Sequence, residues 1–115
     1  MIKKYEELVS KLKDSTAKRK LVWEKTSREN EYQTAIGGNA ISVLYHEKDF
    51  ISMTLNNDET YMSLLIWNNK GENIDEVRIE EGKYDFDVLK ELYDSARRSY
   101  MKVEETLDDI LSNLD

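Results

Sequence analysis

The chain has 115 residues, 39% hydrophobic and 36% charged, a size and balance that fit a single α+β domain spanning 1–115 and leave no room for a second core. Zero cysteines exclude disulfides, thiolate zinc sites and cysteine nucleophiles, and the absence of any apolar run near the roughly 20 residues of a spanning helix argues for a cytoplasmic protein outside the membrane. With 17 Lys+Arg against 24 Asp+Glu the net charge is −7, which opposes binding to nucleic acid phosphates or anionic lipid.

In residues 1–17, Ile2, Tyr5, Leu8, Val9 and Leu12 recur at helical spacing with Lys and Glu between them, which predicts an amphipathic helix. Glu7 and Lys11 stand four apart in the favourable order on its exposed side. The pattern stops in Ser15–Lys20, and Leu21-Val22-Trp23 reads as a short apolar strand whose indole belongs in the core.

From Glu31 to Gly82 the period becomes two, the signature of consecutive antiparallel strands. Tyr32, Thr34 and Ile36 lead into Gly37-Gly38-Asn39, a hairpin signal, and Ile41, Val43 and Tyr45 follow on one face. Ile51, Met53 and Leu55 repeat the alternation before a turn at Asn56-Asn57-Asp58. Tyr61–Trp67 is apolar at both parities, as in a strand covered on two sides, and is taken as the central strand. Ile74, Val77 and Ile79 lie in a charge-rich segment suited to a sheet edge.

Asp85 or Asp87 is placed to cap a helix. Beyond them, Leu89, Leu92, Ala96, Tyr100, Val103, Leu107, Ile110 and Leu114 keep steps of three and four, which predicts one long helix from about Asp87 to Asn113 whose second half can project past the sheet. The expected architecture is therefore a helix, a four- to five-stranded antiparallel sheet and a long C-terminal helix, with both helices on one face.

Two features conflict with local preference. Glu104, Glu105, Asp108, Asp109 and Asp115 crowd what would be the end of that helix, where cations are preferred. If the strands are regular, Leu44, Phe50, Met62, Leu64 and Ile66 take the opposite parity from Val43, Ile51, Leu65 and Trp67, so both sheet faces carry apolar groups. An exposed apolar face marks an interface, so Met62, Leu64 and Ile66 are expected to contact a second copy or another protein, with Glu104, Glu105, Asp108 and Asp109 as a polar docking stripe. Lysines of the first helix neutralising those acids, and bulges or the Leu21–Trp23 segment covering the second face, are the plainer readings.

Charge is unevenly placed. Residues 1–30 hold nine Lys/Arg and five Asp/Glu, and the rest hold eight and nineteen. Lys18-Arg19-Lys20 is too short for a nucleic-acid footprint. The adjacent acid pairs, Asp58-Glu59 among them, diverge rather than converge, so no metal site is expected, and the Asn68–Asp75 turn fails as a calcium loop because Lys70 sits inside it. No phosphate-binding glycine loop is present, so no cofactor is expected. His46 has no Ser or second His at motif spacing and no catalytic residue is assigned.

The run Lys20-Leu21-Val22-Trp23-Glu24, the opening Tyr32-Gln33-Thr34, the turn Asn69-Lys70-Gly71-Glu72, and the segments Leu89-x-x-Leu92-Tyr93-x-x-Ala96-Arg97 and Leu107-Asp108-x-Ile110-Leu111 resemble those of a loose group of small bacterial and phage-type proteins. The resemblance spans nearly the whole chain and implies the α+β fold without an activity, substrate or cofactor. The sequence thus points to a non-enzymatic protein-binding or accessory module. Its competitors are an acidic inhibitor that mimics nucleic acid along the last helix, and a hydrolase using His46 and a carboxylate.

Overall fold

A computed structural model of the chain describes residues 1–49 and 58–115. In chain order it holds α1 (Lys3–Ala17), β1 (Trp23–Lys25), β2 (Glu31–Ile36), β3 (Asn39–His46), β4 (Tyr61–Trp67), β5 (Asn73–Glu80), α2 (Phe86–Tyr100) and α3 (Val103–Leu114). Among the described residues five strands form one antiparallel sheet in the order β1-β2-β3-β4-β5, so each of them pairs with its described neighbour in sequence. β3 is the middle strand, and β4, expected at the centre, lies between β3 and the edge. The strand expected around Ile51, Met53 and Leu55, and Phe50, fall outside the described residues.

The β2–β3 hairpin closes between Ile36 and Asn39 through Gly37 and Gly38, both at positive φ. A two-residue loop that matches the right-handed twist of its strands requires that conformation at both positions, and glycine adopts it without a Cβ clash.

Register decides which residues share a face, because residues directly opposite one another project to the same side. Tyr32 pairs with Val43, Val43 with Leu64 and Leu64 with Val77, while Tyr45 pairs with Met62. Val43, Met62, Leu64 and Ile66 therefore lie on one face, which corrects the sequence-based assignment of Val43 to the opposite parity. Alternation fixes sides within a strand, but the relation between β3 and β4 depends on how the intervening segment sets their register.

That face is the core. Its sheet residues Trp23, Tyr32, Ile41, Val43, Met62 and Leu64 form one cluster with Val9 and Leu12 of α1 and Phe86, Leu89, Leu92, Tyr93 and Ala96 of α2. Both helices thus pack on the same side of the sheet. Met62 and Leu64 are 0% exposed, and Ile66 is half-buried against the same cluster. The expectation that Met62, Leu64 and Ile66 meet a second chain is corrected accordingly, since α1 and α2 already occupy their side of β4. On the other face Ser42, Leu44, Ser63 and Leu65 are buried too, so these residues do not form the exposed apolar sheet surface that the parity pattern suggested.

The single long C-terminal helix is also corrected. α2 ends at Tyr100, Lys102 adopts a left-handed conformation (φ 55°, ψ 44°), and a new helix starts at Val103. Arg97 and Arg98 occupy the last turn of α2 and Glu104 and Glu105 the first turn of α3, so each helix end carries the charge its dipole favours. The acids that looked misplaced at the end of one helix are well placed at the start of another.

Candidate functional site

α3 stands apart from the rest of the chain energetically. None of its residues is buried. Val103, Leu107, Ile110 and Leu114 follow steps of four, three and four, the spacing of a seam that packs against another helix, and Leu111 widens it. Leu107 is 45% exposed, Ile110 49%, Leu111 61% and Leu114 76%. At 100° per residue these side chains share one arc of the helix, with Glu104, Asp108 and Asp115 along one flank and Thr106 and Asn113 along the other.

The acidic side of α3 is turned toward the domain. Arg98 Nη2 meets Glu104 Oε1 at 2.5 Å, and Arg19 lies 3.6 Å from Glu105 and 3.9 Å from Asp108. Asp109 accepts a longer contact of 3.5 Å from the Asn113 amide within the same helix. Three of the four acids expected as a docking stripe therefore pair within the chain. Their partners are Arg19 and Arg98 rather than the lysines of α1. All these groups are exposed, so each pair contributes at most about 1 kcal/mol, enough to bias the helix without fixing it.

The geometry of α1 places Arg19. The Lys20 N–H donates to the Ser15 carbonyl and the Arg19 N–H to the Thr16 carbonyl, a paired closure that puts Arg19 at φ 58°. Glycine is the usual occupant of that position. An arginine there carries backbone strain, and its guanidinium is the group that reaches α3. A cleft of about 150 Å³ lies at this junction, lined by Thr16, Arg19, Ser95, Arg98, Ser99 and Glu105 among others.

The base of the arm is held by aromatic rings. Tyr100, the last residue of α2, lies 5.5 Å from Tyr32 of β2, Tyr32 lies 5.6 Å from Tyr93, and Tyr93 lies 5.7 Å from Tyr45. Burial, with Tyr32 beside it, pushes the Tyr93 phenol up to about 12, so the ring at the centre of this ladder stays uncharged at neutral pH.

The described residues hold a second polar constellation around His46. Its Nε2 lies 2.8 Å from Asp58 Oδ1, its ring stacks on Tyr61 with centroids 4.7 Å apart, and the Arg78 guanidinium covers the other ring at 4.0 Å. The Asp49 N–H also donates to Asp58, and the Lys48 N–H donates to Thr60 Oγ1. The His46 hydrogen bond, then that from Asp49, holds the Asp58 carboxyl below its usual range. A histidine oriented by an acid is half of a nucleophile-activating arrangement. Two nearby hydroxyls are committed elsewhere: Ser63 is fully buried and donates to Glu76, and Thr60 serves Lys48. The cluster therefore ties residues 48–49 to residues 58–60, where β3 leaves the sheet and β4 enters it. Among the described residues there is no group of three or more His, Asp or Glu able to hold a metal ion.

Sequence reasoning singled out the acids of α3 but assigned its apolar residues to a helix packed in part on the sheet, and it did not connect Arg19 or Arg98 with those acids. The signal was present: an Arg-Arg pair followed seven residues later by Glu-Glu marks one helix ending and another beginning.

No protein-family model, curated protein or solved structure matches the chain. None of the helices described is long and apolar enough to cross a membrane.

Proposed function

We propose that this chain is a non-enzymatic protein-binding module, an accessory protein of bacterial or phage type, which docks through the outward face of α3. The observation that carries this reading is the orientation of that helix. Its acids face the domain's own arginines while its leucine and isoleucine side chains face solvent. A small domain normally turns an amphipathic helix the other way, burying the apolar stripe, because about 25 cal/mol is gained per Å² of apolar surface removed from water. Leaving that surface exposed is compensated when a partner covers it.

The nucleic-acid-mimic reading draws less support, because the surface that α3 turns to solvent is an apolar seam, with its acids along the flank and toward the domain rather than displayed as a carboxylate face. The hydrolase reading lacks a free nucleophile beside His46 among the described hydroxyls named above.

The test is a double substitution, Leu107→Ser with Ile110→Ser, compared with the unsubstituted chain as affinity baits in the native host. Circular dichroism establishes that both are folded. A partner retained by the first chain and lost by the second is the expected result; identical captured sets would overturn α3 as the docking element.

A further inference from the structure

We infer that the occupant of the α3 seam is an amphipathic helix of another protein with Lys or Arg along its flanks, rather than a second copy of this chain. The inference rests on the docking reading above and adds the chemistry of the partner.

The spacing of the seam selects a helix. Val103, Leu107, Ile110 and Leu114 form a line of knobs over 12 residues, about 18 Å, and side chains at these steps interlock with the same pattern on a facing helix.

Charge selects which helix. Residues 103–115 carry five carboxylates and no Lys or Arg. Two such helices laid together would face one another with acids only, and a seam of this length offers little area against that repulsion. The opposite sign is already accepted at this place. Glu104 takes the Arg98 guanidinium at 2.5 Å, and Glu105 and Asp108 take that of Arg19 at 3.6 and 3.9 Å. A helix with basic flanks would offer Glu104, Asp108 and Asp115 the same chemistry while covering the seam. The left-handed Lys102 separates α3 from α2, so a partner can lie along α3 without meeting the core.

The probes are two synthetic helical peptides with the same leucine seam, one flanked by lysines and one by glutamates, titrated into the full chain by calorimetry. The lysine-flanked peptide is expected to bind and the glutamate-flanked one to fail. Affinity should fall about tenfold or more in Leu107→Ser/Ile110→Ser, which keeps every acid, and to a similar extent in Glu104→Gln/Asp108→Asn/Asp115→Asn, which keeps the seam. Equal binding of both peptides, lost only in the seam variant, overturns the basic partner and leaves the docking reading standing. So does a dimer in sedimentation that the seam variant dissociates, since the occupant is then a second copy. Binding of neither peptide, or binding that survives the seam variant, overturns both.

Discussion

Thr16 Oγ1 accepts the indole N–H of Trp23 at 3.0 Å and donates its own proton to the Leu12 carbonyl at 2.6 Å, so the last turn of α1 is hydrogen-bonded to the first residue of β1 across the core. Both side chains are buried, and Trp23 has no water to turn to if the acceptor is removed. Thr16→Val keeps the shape and deletes the acceptor. It should destabilise the fold by about 1–3 kcal/mol, whereas Thr16→Ser should cost less because the hydroxyl survives. Urea denaturation followed by Trp fluorescence measures both.

Burial separates the core of β4 from the seam of α3. Leu64→Ala and Met62→Ala each leave a cavity beneath two helices and should cost about 2–5 kcal/mol. Leu107→Ser and Ile110→Ser change side chains that are about half exposed and lie outside the core cluster, and should stay within about 0.5 kcal/mol of the parent. Equilibrium unfolding of the four variants checks the contrast; a large loss for the α3 pair would mean that helix is packed.

Lys102 occupies a left-handed conformation that costs a side-chain-bearing residue roughly 1–2 kcal/mol. Lys102→Gly relieves it at the expense of a more flexible unfolded chain, for a net gain of about 0.5–1 kcal/mol, and Lys102→Val should lose about 1 kcal/mol or more. Thermal denaturation of the two variants should move in opposite directions.

The Asp58 carboxyl has a folded-state pKa below its usual 3.8, owing first to the His46 hydrogen bond and then to the Asp49 N–H. A lowered acid favours the folded state while it is ionised. Its contribution is complete above the unfolded value and disappears as pH falls below 3.8 through the folded one. Asp58→Asn should therefore be less stable than the parent at neutral pH, and the gap should narrow in acid. Denaturation midpoints measured from neutral pH down to about pH 2 test this, and a gap independent of pH would exclude the His46–Asp58 pair as its source.

Most of the fold was legible because most of it is written in periodicity. The alternation around Tyr32, Ile41 and Ile79 and the Gly37-Gly38 turn specify hairpins locally, and Trp23 is too apolar to sit elsewhere than the core. What failed depended on relations between distant segments. In β4, Leu64 and Leu65 are equally apolar, and only the register with Val43 tells which meets the helices. The break at Lys102 was hidden because the apolar steps run unbroken from Tyr100 through Val103 to Leu107, and neither Gly nor Pro marks the join. Asp85 stands at the N-cap position of α2 as expected, yet its carboxylate contacts the Met1 amino group at 2.5 Å rather than the helix. His46 and Asp58 are twelve residues apart with a turn signal between them, and nothing in their spacing announced that they meet.

Strand order identical to chain order has a kinetic consequence. Each hairpin needs only sequence already made to close, so the sheet can assemble stepwise as the polypeptide leaves the ribosome, without waiting for distant partners. α1 is the exception: it is synthesised before the strands, but Val9 and Leu12 share their cluster with Leu89 and Leu92, which follow them. During synthesis the greasy side of that first helix and the nascent ribbon beneath it stay uncovered longest, and that interval is when the molecule is most exposed to aggregation.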